Sequence, residues 1–365
     1  MTAATHESEA LQAAARTALH GARLSDRAAR ALLETRRLTD LGLLATEMRR
    51  RHHPEPSVTY IIDRNVNYTN VCVAKCNFCA FYRLPGDEEG YLLSPEELDA
   101  KLAETIALGG TGILMQGGLH PELGIEFYER MLARMKERFP LHLHAFSPPE
   151  IVHFSRVSRI SVAQVLLRLK RAGLDSIPGG GAEILVDAVR RRYNAHKSST
   201  DEWLGVMETA HSLGLPTTAT MMFGGLETLD DRVTHMRLIR DLQERTGGFT
   251  AFIGWTYQPA NTELGGREAT AVDYLRTLAV SRLYLDNIAN IQSSWVTMGT
   301  KTGQVALSFG ANDMGSIMIE ENVVRAAGAH NRMDRENMQR VIRDAGYTPV
   351  QRDTLYRPVT VTATA

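Results

Sequence analysis

Apolar and polar positions along this chain fall into two regimes. From about Ser8 to Arg50 they repeat at helical spacing, with Leu32, Leu33, Leu38, Leu41, Leu43 and Leu44 as the apolar set and Ser25-Asp26 and Thr39-Asp40 as caps. Strand signals are absent there, which predicts an N-terminal helical appendage over 1–57. From Thr59 the pattern becomes strand, turn, helix, strand, and repeats. Ser94-Pro95-Glu96-Glu97 opens a helix with a capping box and Pro at its first position; Leu98, Leu102 and Ile106 form its apolar face, and Gly109-Gly110 stop it. The strand Gly112 to Gln116 follows at once. The same unit begins again at Ser199-Thr200-Asp201-Glu202, with Leu204, Met207 and Leu213 as the stripe and Thr217 to Phe223 as the strand.

Helix–strand units of this length require parallel pairing with right-handed crossovers. The candidate strands are Tyr60–Tyr68, Gly112–Gln116, Leu141–Phe146, Leu174–Ile177, Thr217–Phe223, Phe249–Trp255, Ala289–Ser293 and Val305–Phe309. Eight of them predict an α/β fold with a (β/α)8 barrel over 58–316, followed by a C-terminal helix and tail over 317–365; a doubly wound open sheet is the competing arrangement. Polar residues gathered at strand ends favour the barrel. In Leu141-His142-Leu143-His144 the histidines share one face and the leucines the other, so one face meets helices while the other carries polar groups into a lumen. Thr218 and Thr220, and Gln292 and Ser294, fall in the same way. Such a lumen is suited to a polar ligand.

Composition narrows the function. With 365 residues, 44% hydrophobic, and 41 basic against 42 acidic side chains, the chain can bury a large core but projects no strong field. Nucleic acid is therefore not an expected partner. Arg49-Arg50-Arg51 and Arg190-Arg191-Arg192 are local exceptions, read as solvated helix faces, the second with the option of meeting an anionic substrate. No apolar run is long enough to span a membrane. The N-terminus lacks the basic start and apolar core of a secretory signal, so a cytoplasmic location is expected.

The only three cysteines lie within eight residues, Cys72-Val-Ala-Lys-Cys76-Asn-Phe-Cys79. An odd number cannot close a disulfide set, so the thiols hold a metal group. Three soft ligands without a second downstream pair fit a [4Fe–4S] cluster with one iron left open better than tetrahedral zinc. A Cys3His zinc site recruiting His120 or His144, in a zinc or electron-transfer protein, is the alternative.

The spacing C-x3-C-x2-C, with Phe78 before the last cysteine, resembles the signature of the radical S-adenosylmethionine (SAM) superfamily. The resemblance implies that the open iron binds SAM and that an electron from the cluster cleaves it to a 5′-deoxyadenosyl radical. It also implies that Gly117-Gly118 offers backbone to the methionyl amine, with a plain tight turn as the other reading. Glu183, in Pro178-Gly179-Gly180-Gly181-Ala182-Glu183, suits the ribose hydroxyls, and Ser147 suits SAM or substrate; a helix cap or surface charge is the plainer role of each. Trp255, Gln258, Asn261 and Asn312 at strand ends suit a flat ring with polar substituents. Asp313, Glu227 and His144 are candidates for acid–base work, His142 beside them. An N-cap is the other reading of Asp313, and a core histidine that of His142 and His144.

Further stretches narrow the resemblance. Tyr60-Ile61-Ile62-Asp63-Arg64-Asn65-Val66-Asn67-Tyr68-Thr69-Asn70, Gln116-Gly117-Gly118-Leu119-His120-Pro121, Pro178 to Leu185 and Gly310-Ala311-Asn312-Asp313-Met314-Gly315-Ser316 are similar to the cyclic dehypoxanthinyl futalosine synthase family of menaquinone biosynthesis. Related activities are aminofutalosine synthase and deazaflavin (FO) synthase. The resemblance spans roughly Leu24 to Gly328. It implies hydrogen abstraction from C4′ of the ribose of dehypoxanthinyl futalosine, addition of the carbon radical to the benzoate ring, and loss of one proton and one electron. A flavodoxin- or ferredoxin-like reductant is the implied partner. One departure stands out: the family often has His at the position of Gly225, so that task is done elsewhere here or the substrate is held differently.

Overall fold

Among the described residues every pairing between the nine strands is parallel. The strands are β1 (Ser57–Ile61), β2 (Asp63–Val66), β3 (Gly112–Met115), β4 (His142–Ala145), β5 (Thr217–Phe223), β6 (Phe249–Thr256), β7 (Asn290–Gln292), β8 (Asp313–Ser316) and β9 (Thr348–Arg352). The structure is a computed structural model describing residues 3–194 and 197–359; the first two residues of the expected appendage and the last six of the tail lie outside the described residues. Hydrogen bonding runs β5-β6-β7-β8-β1-β9 in one sheet and β2-β3-β4 in the other. Two single bridges, His144 to Ser176 and Ile177 to Thr217, join β4 to β5. Since β1 continues into β2 across Ile62, the two sheets close into one ring of eight strand positions. The fold is an α/β barrel of the TIM-like kind.

Several expected elements shift. Tyr60–Tyr68 is two strands, because the chain changes neighbours at Ile62, from β8 and β9 to β3. Leu174–Ile177 makes only the two bridges. Val305–Phe309 is the end of a helix followed by a 3-10 turn, with Leu307 and Phe309 buried. A short apolar run carries no period that separates strand from helix. The eighth strand is instead Asp313–Ser316, whose polar residues find their partners inside the ring. At the C-terminus a helix, Arg335–Asp344, leads into β9, a strand absent from the sequence-based expectation.

The helix starts follow their signals. Ser94 and Glu97 form the reciprocal capping box, as do Ser199 and Glu202. Leu98 and Leu102 are buried, whereas Ile106 stands 38% exposed. The helices Asp26–Glu34 and Leu38–His52 share one core with the barrel, so the appendage is continuous with it; of the leucines in those two helices Leu43 points well into solvent, 71% exposed. Both arginine runs split. Arg49 is buried and donates to the Ser57 carbonyl; Arg190 is buried among the carbonyls of Gly181, Ala182 and Ser198. Among the described residues no helix is long and apolar enough to cross a membrane.

Strand β9 lies along β1, Ser57 opposite Thr348 through Ile61 opposite Arg352, and covers the floor of the barrel. There Arg352 grips Asp313 with two bonds, Nε to Oδ2 at 2.6 Å and Nη2 to Oδ1 at 2.9 Å. The Thr59 hydroxyl and the Gly315 N–H complete the carboxylate. Both charges are buried, so each depends on the other.

At the opposite end, Glu150 ties the mouth together. Its carboxylate accepts from the Ser147 N–H and hydroxyl (2.7 Å each), the Gly117 N–H (3.0 Å) and the Tyr68 hydroxyl (2.9 Å). Burial pushes the carboxyl up to about 7 against the pull of those donors.

Asp313→Ala or Arg352→Ala is expected to lose on the order of 3–5 kcal/mol, because each strands a buried charge. Urea unfolding measures it, and a variant with the parent's midpoint contradicts the pairing. Because the folded Glu150 carboxyl binds its proton more tightly than the unfolded one, its contribution is full below about pH 4.5 and is lost as pH rises through 7. The stability gap between parent and Glu150→Gln should therefore narrow from pH 5.5 to pH 8; an equal gap at both pH values refutes the shift.

Candidate active site

The cysteine loop follows β2 at the barrel mouth and is stitched to three neighbouring loops. Val73 N–H donates to Leu119 O (3.0 Å), Asn77 N–H to Tyr193 O (3.2 Å), and Leu264 N–H to Asn77 O (2.9 Å). Lys75 takes a left-handed turn, φ 56°, which lets Cys76 point inward. Cys76 is buried, Cys72 and Cys79 are half-buried, and all three are free thiols. Asn194 Nδ2 donates to Cys76 Sγ at 3.1 Å. Burial pushes the Cys76 thiol up to about 11 and raises Cys79 as well. Thiolates in such a place need a compensating cation, which a metal group supplies.

The donor set fits an iron–sulfur cluster. Three soft thiolates in one short loop are the ligand set of a cluster that keeps one iron open. Neither histidine considered for a zinc site is drawn in: His120 accepts from the Glu122 N–H, and His144 bonds Ser176.

Around this loop stand the residues expected at SAM. Gly117 and Gly118 follow β3 and lie against the cysteine loop; a Cβ on the first would enter the Tyr68 ring and one on the second the Val71 carbonyl. Close packing therefore already requires glycine there. Ser147 caps the helix Pro148–Ser158 and is bound to Glu150. Glu183, buried and at φ 40°, receives Lys197 Nζ at 2.7 Å, with Arg190 Nη1 at 3.7 Å. Lys197 also stands 5.2 Å above the Phe78 ring, and Phe78 meets Tyr193 edge-on at 5.3 Å. Phe78, Glu183, Lys197 and Cys76 thus form one cluster at the mouth.

The other candidates separate. Asp313 lies at the floor on Arg352, neither a free carboxylate nor a helix cap. Glu227 accepts from the Gly224 and Gly225 N–H groups (2.7 and 3.0 Å) and from Arg232 (2.9 Å), closing its own loop. Asn312 is buried between β7 and β8, bound to Arg282, the Ile291 N–H and Asn290. Asn261 ties its loop to the Ala326 carbonyl at 2.9 Å, and Gln258 donates to Thr256 and Tyr257. Trp255 is half-buried in β6, and His144 is half-buried on the lumen face of β4. At Gly225 the tertiary structure explains the missing side chain: a Cβ would run into the Tyr193 hydroxyl, which accepts from the Leu226 N–H.

Glu150, Asn194, Lys197 and Ser176 are contributors absent from the sequence-based candidates. Glu150 was legible as the fourth residue of Ser147-Pro148-Pro149-Glu150. Asn194 and Lys197 sit in a loop without periodicity, and only folding brings them to Cys76 and Glu183.

Residues 66–239 match the Radical SAM superfamily and residues 246–364 the CofH/MqnC C-terminal region. The chain is 47% identical over 341 residues to a cyclic dehypoxanthine futalosine synthase of Halalkalibacterium halodurans, covering 93% of this chain and 92% of that one. It is 46% identical to one of Streptomyces coelicolor, covering 93% and 87%. It is also 44% identical to a 5-amino-6-(D-ribitylamino)uracil–L-tyrosine 4-hydroxyphenyl transferase of Methanopyrus kandleri, covering 83% and 85%. In fold it is similar to methylornithine synthase (TM-score 0.72, 18% identity, 92% of this chain and 97% of that one). It is likewise similar to the hydrogenase maturase HydG of Carboxydothermus hydrogenoformans (TM-score 0.77, 15% identity, 97% and 82%). A cysteine triad at the mouth of a parallel barrel and this likeness over nearly the whole chain place it in the radical SAM superfamily, in the family of the cyclic dehypoxanthine futalosine synthases.

Proposed function

We propose that this enzyme converts dehypoxanthinyl futalosine to its cyclic product in menaquinone biosynthesis. The observation that carries the reading is the likeness at 46–47% identity over 93% of the chain. Cys72, Cys76 and Cys79 hold the cluster, with Phe78, the Gly117-Gly118 backbone, Ser147 and Glu183 about SAM. When bound, the cluster and SAM supply the 5′-deoxyadenosyl radical that takes the ribose C4′ hydrogen.

The protein then positions the carbon radical against the benzoate ring and keeps water out, since ring closure itself needs little acid–base help. Lys197 neutralises Glu183, so a buried carboxylate can face ribose hydroxyls without an unpaired charge. Trp255 and Gln258 line the mouth on the β6 side as candidates for the substrate. Asp313 and Glu227 serve as scaffold carboxylates, and His144 is the acid–base group that remains. A flavodoxin- or ferredoxin-like donor supplies the electron, and the cytoplasm is the expected location. The 44%-identical transferase keeps a second reading in view, radical SAM chemistry on a ribitylaminouracil and tyrosine.

Anaerobically reconstituted protein with SAM, reductant and dehypoxanthinyl futalosine should give 5′-deoxyadenosine and the spirocycle. Product mass separates the two readings; 5′-deoxyadenosine without the spirocycle rejects the first. Alanine at any of the three cysteines should abolish both iron–sulfur absorbance and 5′-deoxyadenosine formation. A variant that keeps either one refutes that ligand.

A further inference from the structure

Two histidines of β4 bracket a single hydroxyl. Leu143 and Ala145 are buried among the helices, so His142 and His144 occupy the lumen face. Ser176 Oγ lies 2.7 Å from His142 Nε2 and 2.6 Å from His144 Nδ1. A serine hydroxyl has one hydrogen, so it donates to one ring and accepts an N–H from the other. The three groups are therefore a directed chain of hydrogen bonds. Its geometry is set by the barrel's closure, since Ser176 bridges β4 through Ala145 N–H to Ser176 O (3.0 Å) and Ser176 N–H to Leu143 O (3.3 Å).

The chain has two ends in different surroundings. His144 lies three residues before Ser147 at the mouth and opposite Leu114 within the barrel. His142 opens β4 at the floor and lines a cavity of about 520 Å³ with Thr111, Lys136, Asp175, Asp353 and Arg357. Those charged groups face His142, while Arg352 and His142 face His144. Burial lowers the pKa of both rings, His144 to about 3. Neutral imidazoles each keep one N–H and one lone pair, the state in which a proton can be received on one nitrogen and released from the other.

We propose that His144, Ser176 and His142 form a proton relay from the lumen to the barrel floor, carrying out the proton released when the cyclised ring regains aromaticity. The proposal rests on the cyclase reading above. The ring C–H bond breaks; H+ is taken by His144 Nε2, and the remaining electron passes to an oxidised iron–sulfur acceptor. His144 Nδ1 gives its proton to Ser176 Oγ, Ser176 gives its own to His142 Nε2, and His142 Nδ1 releases one to water in the floor cavity. One proton enters, one leaves, and each group keeps its charge. The carboxylates Asp313, Glu227 and Glu150 are each held by three or four donors, which ties them to the scaffold.

The test is Ser176→Ala, with Ser176→Thr to restore the hydroxyl and His142→Gln as a second break at the floor end. Product, 5′-deoxyadenosine and the solvent deuterium isotope effect are measured on reconstituted enzyme with substrate. Ser176→Ala and His142→Gln should keep iron–sulfur absorbance and SAM cleavage but form spirocycle on the order of a hundredfold more slowly, lowering the product to 5′-deoxyadenosine ratio. Ser176→Thr should restore it. Should the parent cyclise and Ser176→Ala match its ratio and isotope effect, or lose SAM cleavage in equal proportion, the relay is wrong and the function stands. If the parent makes no spirocycle, the functional reading falls and takes the relay with it.

Discussion

A charge taken out of water must be matched where it lands, and that constraint sorts the polar residues of this barrel. Arg352 reaches up from the C-terminal strand to meet Asp313, Arg232 meets Glu227, and Lys197 meets Glu183. Glu150, with no cation among its partners, is satisfied by four donors instead. Asp313, Glu227 and Glu150 spend their acceptor capacity on holding the chain together, while Glu183 has its charge matched by Lys197 and keeps acceptor capacity for a ligand. The floor, the loop after β5 and the joint between β3 and the helix Pro148–Ser158 are all fixed in this way.

The consequence for chemistry is that a barrel rich in acidic residues offers few free bases. What remains in the lumen is neutral: the imidazoles of His142 and His144, the Ser176 hydroxyl, and the amides and hydroxyls of β5 to β7. A radical reaction is well served by such walls, because they orient a polar substrate without placing a strong acid or base beside a reactive carbon. At the mouth the balance differs. One buried and two half-buried thiols, a glutamate and a lysine crowd together, and a metal group among the sulfurs would supply the cation that thiolates there require.

The sequence was most legible where a local rule coincided with the function. Capping boxes at Ser94 and Ser199 mark helix starts because the cap is satisfied within four residues. The cysteine spacing needs no tertiary context, and the alternation of His and Leu in β4 predicts its two faces. Where a residue's role depends on a distant partner, sequence reading named the residue and missed the role. Asp313 looks like a mouth carboxylate until Arg352, 39 positions further along the chain, reaches it; Glu227 is tied up locally, by Arg232 five residues on and by the N–H groups of its own loop. The short apolar run Val305–Phe309 looks like a strand because five residues contain no period to distinguish it from a helix. Asp313–Ser316 looks like a loop because most of its stabilising bonds come from other elements, Arg352 and Thr59 among them.

Local chemistry along the chain was thus enough to establish a parallel α/β barrel, three cysteines shaped for an iron–sulfur group, and the family to which those features belong. Which carboxylates are tied up, why Gly225 has no side chain, how β9 covers the floor, and that Ser176 sits between two imidazoles followed only from folding. Several of those properties arise from contacts far apart in the chain, such as the 34 positions between His142 and Ser176 and the 254 between Thr59 and Asp313, and a linear pattern carries no information about which distant groups will neutralise one another.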